Sequence, residues 1–323
     1  MAKNILVTGG AGNLGNYVSP YLTEKGYNVT NFDSAQQKPE SPNMKAGIPF
    51  VQGNLLSLGD CMRAVAHAEP DVIVHLGAIP FNTEIQPAYG REYNRATDGA
   101  RFVQRMNEDE TMSVNTMGTY YMLDAARRLG VKEVIAASSY FALGIGFRIS
   151  GKSFEPEYLP IDEEHPCTPE DTYSLSKLLN EETMKAFSRA YGMKCVAMRL
   201  LGVFYENNEF SKKMYKFNVS VPEPKPDEVD MLVSNTYQFA DARDIARFVE
   251  LAINAKNLGP FEAFYIATDT VYTDDTVDVI KRRWPSLAKK GFGMDIKGTE
   301  GIISIGKARK LVGYEPQFSW RNV

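Results

Sequence analysis

The stretch Thr8-Gly9-Gly10-Ala11-Gly12-Asn13-Leu14-Gly15 directly follows an apolar segment, Asn4 to Val7. In a strand–turn–helix unit Gly9 permits the tight turn, Gly12 lets the backbone approach a pyrophosphate, and Gly15 lets the helix pack closely on the strand. A helix that begins here points free N–H groups at an anion. A glycine-rich turn without a ligand is the alternative, but the position between strand and helix favours a dinucleotide-binding loop. Its predicted cofactor contacts are Gly9, Gly12, Asn13 and Leu14.

Asp33 ends the next strand-like segment, Val29 to Phe32. A carboxylate at this place accepts hydrogen bonds from both ribose hydroxyls and repels a 2′-phosphate. Residues 34–37, Ser-Ala-Gln-Gln, supply no arginine that would bind such a phosphate. The sequence therefore predicts NAD rather than NADP as the cofactor, with a strand-end turn as the alternative role for Asp33.

Short apolar runs alternate with amphipathic stretches along the chain. Runs that are β-branched and bounded by turns or charges are typical of parallel strands covered on both faces, and this alternation implies right-handed crossovers. We predict an α/β fold: a doubly wound parallel (Rossmann) sheet with a small C-terminal α/β substrate-binding region. The predicted strands are Asn4 to Val7, Val29 to Phe32, Pro49 to Val51, Val72 to Leu76, Val134 to Ala137 and Val196 to Leu200. The predicted helices between them are Asn13 to Lys25, Leu58 to Ala68, Val114 to Leu129 and Pro169 to Tyr191.

The predicted domain organisation follows from where this alternation stops. Residues 1–200 are expected to form the NAD-binding Rossmann domain, completed by about 238–258. Residues 201–237 and 259–323 are expected to form the small substrate-binding domain. Residues 80–112 make a long polar connection, which is typical of a lid or of an irregular insertion. Its arginines could clamp a carboxylate or phosphate, although a solvated surface helix is the simpler interpretation; they are Arg91, Arg95, Arg101 and Arg105.

Tyr173 and Lys177 lie near the start of a predicted helix, one helical turn apart and therefore on one face. A phenol with a pKa of about 10 is a poor base at neutral pH. A nearby ammonium, together with a positive nicotinamide ring, favours the phenolate and lowers that pKa. Tyr173 could then exchange a proton with a substrate hydroxyl. Alone, this spacing is most often an amphipathic surface, but after a dinucleotide-binding loop it predicts a catalytic pair.

Ser138 and Ser139 end the fifth predicted strand. Ligands of open α/β sheets bind beyond the carboxyl ends of the strands, so a serine hydroxyl here can orient the reacting oxygen. The alternative is simple strand-end capping. We predict that both serines contact the substrate.

Composition and charge exclude several classes of function. The chain has 323 residues and a formal net charge of −4, which argues against a nucleic-acid partner because phosphate binding requires a basic face. The cysteines and histidines show no metal-like or disulfide-like spacing, so no metal site is predicted. There is neither a cleavable leader nor an apolar run of the roughly 20 residues that span a bilayer. We expect a cytoplasmic protein with a small carbohydrate-like substrate and no membrane partner.

Together these motifs resemble the extended short-chain dehydrogenase/reductase family, the NAD-dependent epimerase/dehydratase group, over nearly the whole chain. Further stretches that carry the resemblance are Gly53-Asn54-Leu55, His75-Leu76-Gly77-Ala78, Asn115-Thr116-Met117-Gly118-Thr119, and Ser138-Ser139 followed by Gly144. The resemblance implies that Tyr173 is the general acid/base, that Lys177 holds the nicotinamide ribose and tunes Tyr173, and that Ser139 is the catalytic hydroxyl. The remaining cofactor-binding positions that it implies are Asn54, Leu55, Leu76, Gly77, Ala78 and Asn115.

The resemblance also implies a homodimer, in which the helices after Asn115 and around Tyr173 form a four-helix interface. Apolar positions on these helices are compatible with such an interface, but an intramolecular core would explain them equally well. They include Met122, Leu123, Leu178 and Met184.

Two departures from the family pattern bear on the substrate. Gly202 stands where the sugar-nucleotide enzymes usually have an Asn near the substrate phosphate, and Tyr237-Gln238-Phe239 stands where they often have Arg-Asp-Phe. The stretch His75-Leu76-Gly77 is similar to the uronate dehydrogenase branch, which acts on free sugar acids. The favoured function is therefore an NAD-dependent dehydrogenase of a sugar, sugar acid or similar small polyol, with the substrate near Gly202. The alternatives are a UDP-glucose 4-epimerase-like epimerase or dehydratase of a nucleotide sugar, and a redox-sensing binding protein.

Overall fold

Seven parallel strands form the central sheet, in the order β3-β2-β1-β4-β5-β6-β7. The strands are β1 Asn4–Thr8, β2 Asn28–Asp33, β3 Phe50–Gln52, β4 Val72–His75, β5 Glu133–Ser139, β6 Lys194–Leu200 and β7 Phe261–Ile266. The computed structural model describes residues 2–80, 85–87, 102–104, 107–146, 148, 150, 152, 154–209, 211–212, 238–268 and 275–318. This sheet confirms the predicted Rossmann-like α/β fold.

Helices cover both faces of the sheet. The main helices are α1 Gly15–Glu24, α2 Leu58–Ala68, α3 Gly118–Arg128, α4 Thr172–Tyr191, α5 Ala242–Asn254, α6 Thr276–Arg283, α7 Pro285–Lys289 and α8 Gly306–Val312, of which α6 and α7 belong to the small region. In β1 the fully buried Ile5 and Val7 pack in a core with α1 and α5, whereas Leu6 packs in a second core with α2, α3 and α4. Because successive side chains of a strand point to opposite faces, a continuous apolar run is what a doubly covered strand requires.

The sheet reverses its winding direction between β1 and β4, which are neighbours in space but not in sequence. The carboxyl ends of these strands therefore diverge and leave a crevice, the usual ligand site of such sheets. Thr8 ends β1 and His75 ends β4, with the ends of β5 and β6 alongside.

The C-terminal part of the chain divides differently from the predicted boundaries. Phe261–Ile266 is the edge strand of the main sheet, paired with β6, rather than part of the small region in which we placed residues 259–323. The small region instead includes a segment before α4, because Ile161 forms a parallel bridge with Ile303 and the indole N–H of Trp284 donates to Phe154 O at 3.1 Å. A short parallel pair, Val203–Phe204 with Ala240–Asp241, holds the chain after β6.

The predicted insertion contains two described elements, an antiparallel pair of Ile85–Pro87 with Phe102–Gln104 and the helical turn Glu108–Met112. Its four arginines lie outside the described residues. A π-helical turn, Ser113–Met117, follows the insertion and continues into α3. Within the described parts of the chain, no helix is long and apolar enough to cross a membrane.

Candidate active site

A cavity of about 760 Å³ lies at the carboxyl edge of the sheet, at the crevice between β1 and β4. It brings together every residue predicted from sequence to contact cofactor or substrate, except Asn115. These residues are Gly9, Gly12, Asn13, Leu14, Asp33, Asn54, Leu55, Leu76, Gly77, Ala78, Ser138, Ser139, Tyr173, Lys177 and Gly202. The cavity thus joins the glycine loop at one end to the tyrosine–lysine pair at the other.

The glycine loop has the close approaches that a bound pyrophosphate requires. Gly9 has a φ of +68°, and a Cβ there would lie 2.7 Å from Gly77 N, so a side chain is excluded. A Cβ on Gly12 would lie 3.1 Å from Gly9 O. Helix α1 begins at Gly15 with no side-chain cap and no acidic residue in its first turn. Its N-terminal N–H groups and positive dipole end therefore suit an anion, and these residues fit a dinucleotide phosphate.

Asp33 is held at the cavity wall by two backbone amides. Its Oδ2 accepts from Ala11 N and its Oδ1 accepts from Ala35 N, each at 3.0 Å. Each carboxylate oxygen keeps a free lone pair for a further donor. The residue is thus fixed beside the glycine loop, in an orientation that fits a ribose diol.

Tyr173, Lys177 and Ser139 meet where α4 crosses the end of β5. Asp171 caps the helix by accepting from Ser174 N at 2.9 Å, so Tyr173 lies in its first turn. Tyr173 and Ser139 share a side-chain hydrogen bond. The Lys177 ammonium donates to Ala137 O at 2.9 Å and lies 5.6 Å from the centre of the Tyr173 ring. The predicted juxtaposition of phenol, ammonium and serine hydroxyl is present.

The electrostatics of this trio differ from the sequence-based expectation. Burial raises the pKa of Tyr173 to about 12, and the hydrogen bond from Ser139 only partly opposes it, with Asp171 adding to the rise. Burial lowers the pKa of Lys177 to about 8. Desolvation dominates both groups in the site without ligand, whereas the expected lowering of the Tyr173 pKa depends on Lys177 together with a positive nicotinamide ring. Any lowering must come from charge brought in with a ligand.

A buried chain of hydrogen bonds runs behind the cavity wall. Gly77 N donates to Thr8 Oγ1 at 3.1 Å, Thr8 Oγ1 lies 2.7 Å from His75 Nδ1, and His75 Nε2 lies 3.1 Å from Thr119 Oγ1. Because the Thr119 hydroxyl donates to Asn115 O at 2.7 Å, it must accept from His75 Nε2–H. His75 is therefore a neutral structural residue, and burial lowers its pKa to about 3.

His75 should make the fold sensitive to acid. The unfolded chain binds a proton at His75 below pH of about 6.5, whereas the folded chain does so only near a pKa of about 3. The free energy of unfolding should thus fall as the pH drops from about 6.5 towards 3, by up to about 1.4 kcal/mol per pH unit for this group. Urea unfolding at pH 7 and pH 5 measures the loss. His75→Gln should show a smaller loss than wild type, and equal losses would contradict the prediction.

Asn115 lies behind the cavity, in the π-helical turn. Its Oδ1 accepts from Ile79 N at 2.8 Å, and its Nδ2 donates to Ile79 O at 3.1 Å and to Ser176 Oγ at 3.0 Å. The side chain therefore ties the backbone after β4 to the helix that carries Tyr173. Asn115, which the resemblance placed among the cofactor-binding positions, thus holds the backbone beside the cavity and does not line it.

Sequence reasoning missed several residues on the cavity wall. Tyr205 lines the cavity, packs against Tyr17 with ring centres 5.7 Å apart, and has a pKa raised by burial. Tyr140 and Val114 line it as well. Tyr205 could have been found from its place just beyond the carboxyl end of β6, where site residues are expected.

The structure shows what Gly202 and Gln238, the two departures from the family pattern, do at the site. A Cβ on Gly202 would meet open space, so the missing side chain leaves room in the cavity. Gln238 is buried, and its amide bonds Thr268 O at 3.0 Å and both backbone groups of Ile303 at 2.7 and 3.0 Å. Gln238 therefore stabilises the small region and has no N–H left to donate to a phosphate.

Comparison with known proteins agrees with this geometry. The model of the NAD dependent epimerase/dehydratase family matches residues 5–96 and 93–267. A putative UDP-glucose 4-epimerase of Methanocaldococcus jannaschii is 25% identical, over 97% of this chain and 93% of the relative.

Several solved structures have a similar fold. UDP-glucose 4-epimerase of Thermotoga maritima, solved with UDP-glucose, has a TM-score of 0.64 at 22% identity and covers 98% of this chain and 94% of its own. A mutated uronate dehydrogenase has a TM-score of 0.62 at 22% identity and covers 100% and 85%. At these identities the structures show a shared fold alone. The family match, which spans most of the sequence, confirms the predicted resemblance: the chain belongs to the NAD-dependent epimerase/dehydratase family.

Proposed function

We propose that the protein is an NAD-dependent epimerase of a sugar nucleotide, which removes and returns hydrogen at one carbinol carbon. The observation that carries this proposal is the meeting of Tyr173, Lys177 and Ser139 in the cavity that also holds the glycine loop. The full-length likeness to a UDP-glucose 4-epimerase supports this alternative over the dehydrogenase that the sequence favoured.

Each member of the trio has a distinct task in this proposal. NAD, when bound, supplies a hydride acceptor and a positive ring. Tyr173 takes the proton of the substrate hydroxyl and later returns it. Ser139 donates to the phenol oxygen and orients the reacting oxygen, while Lys177, fixed on Ala137 O, holds the ribose next to Tyr173.

A dehydrogenase of a free sugar or sugar acid is the second candidate. Gly202 and Gln238 favour it, because the first presents no side chain and the second has its amide engaged in the small region. Neither can bind a nucleotide diphosphate with a side chain. A substrate without that group would not need them.

One assay separates the two candidates. The purified protein is incubated with NAD and, in turn, nucleotide sugars, aldoses and uronates. Epimerised product without net absorbance at 340 nm supports the epimerase, whereas stoichiometric NADH supports the dehydrogenase. If neither product forms with any sugar of the panel, the proposed function is wrong.

The preference for NAD can be tested at Asp33. In Asp33→Asn the carboxylate that would bind the ribose diol becomes a neutral amide. We expect NAD affinity to fall about 10-fold or more, because a hydrogen bond to a charged group contributes about 1.5–3 kcal/mol. Binding of NADP should strengthen, since the repulsion of its phosphate is gone. Calorimetric titration with both cofactors measures this, and wild-type protein that prefers NADP would refute the assignment.

A homodimer is also proposed. Met122, Leu123 and Met184 are each 1% exposed, so these three belong to the core and not to an interface. Other apolar side chains on the same helices are exposed and could form one: Met117, Tyr120, Leu175, Leu179 and Tyr191. We expect sedimentation to give twice the chain mass of 36.1 kDa and Leu179→Glu to give one chain mass. A monomeric wild type would contradict the proposal.

A further inference from the structure

Helix α4 is attached to β5 at three consecutive strand residues. Lys177 donates to Ala137 O at 2.9 Å, Glu181 accepts from the Ser138 hydroxyl at 2.6 Å, and Tyr173 shares a hydrogen bond with Ser139. The three helix residues are spaced one turn apart, so they lie in a row on one helix face. Any slide of α4 along β5 would break all three contacts together.

The contact between Glu181 and Ser138 is reinforced by a buried ion pair between Glu181 and Arg199. Arg199 donates from Nε to Glu181 Oε1 at 3.0 Å and from Nη2 to Oε2 at 2.9 Å. Glu181 is fully buried and Arg199 is 5% exposed. In the sheet, Arg199 is the register partner of Ser138 on the neighbouring strand. The pair therefore ties β5, β6 and α4 at one point.

Further hydrogen bonds fix the orientation of the Arg199 side chain in this pair. The remaining guanidinium nitrogen, Nη1, donates to Glu163 O at 3.2 Å and to the Tyr265 hydroxyl at 3.3 Å. A bidentate arginine–carboxylate contact fixes both distance and orientation. A buried pair of this kind is weak evidence for stability as such, because desolvation offsets much of the attraction. Its clearest consequence is to fix the position of α4.

We propose that Glu181 and Arg199 are positioning residues, which set α4 against β5 so that Tyr173 meets Ser139 at the reacting hydroxyl. Neither residue lines the cavity, so they act through Ser138 and the helix. This inference rests on the proposed function for its catalytic consequence, but the placement of Tyr173 that it describes does not depend on the substrate.

The test compares Glu181→Gln with Arg199→Lys. The first leaves the arginine charge unpaired, and the second keeps the charge but loses the bidentate geometry. Either should reduce kcat by about 10-fold to 100-fold, since displacement of a reacting group by about 1 Å can cost 10²-fold. The affinity for NAD should fall much less than kcat, because the glycine loop and Asp33 keep their contacts even though Lys177 moves with α4. If Glu181→Gln fails to fold, Arg199→Lys carries the test.

Asp244→Asn is the matched control. Asp244 is also buried and pairs with Arg247 at 2.9 Å, but on α5, which packs on the other face of the sheet. A second readout needs no substrate: the ¹³Cζ signal of labelled Tyr173, assigned with Tyr173→Phe. It should move in both pair variants and stay in place in Asp244→Asn.

The outcomes are distinguishable. Wild-type kcat with an unmoved Tyr173 signal in the pair variants would overturn the positioning role. So would an equal loss of kcat in Asp244→Asn at matched loss of melting temperature. A moved signal in a protein that turns over no sugar of the panel would support the positioning role and refute the proposed function.

Discussion

Tyr173→Phe should reduce kcat by about 10²- to 10⁴-fold, the usual contribution of a general acid or base. Only the hydroxyl is removed, so the ring still packs against Phe141, with ring centres 6.3 Å apart. NAD affinity should change little, because the glycine loop and Asp33 are untouched. Steady-state kinetics with the substrate found by the sugar panel, and calorimetry with NAD, measure the two quantities.

The control for this variant removes a phenol elsewhere. Tyr21→Phe deletes a hydroxyl on α1 that donates to Glu250 at 2.6 Å, outside the cavity. It should retain the wild-type kcat. Full turnover in Tyr173→Phe would refute the proposed acid/base under either candidate reaction.

Gly12→Asp should weaken NAD binding by about 10²- to 10³-fold. A Cβ at this position would lie 3.1 Å from Gly9 O, which is tight but requires only a small shift. The carboxylate would face the expected pyrophosphate, and two like charges about 4 Å apart repel by about 4 kcal/mol at a partly screened site. Cofactor titration followed by intrinsic fluorescence measures the effect.

Gly12→Ala separates charge from bulk. It adds the same Cβ without the carboxylate, so it should weaken binding much less than Gly12→Asp. If both variants bind NAD as tightly as wild type, the glycine loop is not the phosphate site. A fall in melting temperature that is equal in the two variants would show that folding does not explain the difference in affinity.

Most strands of the sheet could be predicted because the burial of a strand shows in its own residues. In Asn4–Thr8 the three central residues, Ile5, Leu6 and Val7, are all apolar, which is typical of a strand covered on both faces. The glycines in the turn after β1 indicate that another group approaches the backbone closely there, and this can be inferred from the sequence alone. The placement of Phe261–Ile266 was not predictable in this way, because its neighbour β6 is remote in sequence and nothing in the strand names its partner.

The residues of the site could be predicted from the sequence, but the pKa values of these residues could not. Tyr173, Lys177 and Ser139 follow from spacing and from strand ends, and they do lie together. Burial raises the pKa of Tyr173 in the site without ligand, and sequence spacing carries no information about that burial. Glu181 was overlooked for the same reason: on sequence it is one more polar residue of an amphipathic helix, and only burial reveals its pairing with Arg199.

Asn115 pins both the N–H and the carbonyl of Ile79, and it does so from the π-helical turn that follows the long connection. The hydrogen bonds between Asn115 and Ile79 therefore hold the two ends of residues 80–112 close together. Loop-closure entropy grows only slowly with length, so the chain between these ends can be exchanged or lengthened at small thermodynamic cost. Relatives can therefore vary the length of this segment while the contacts between Asn115 and Ile79 stay the same.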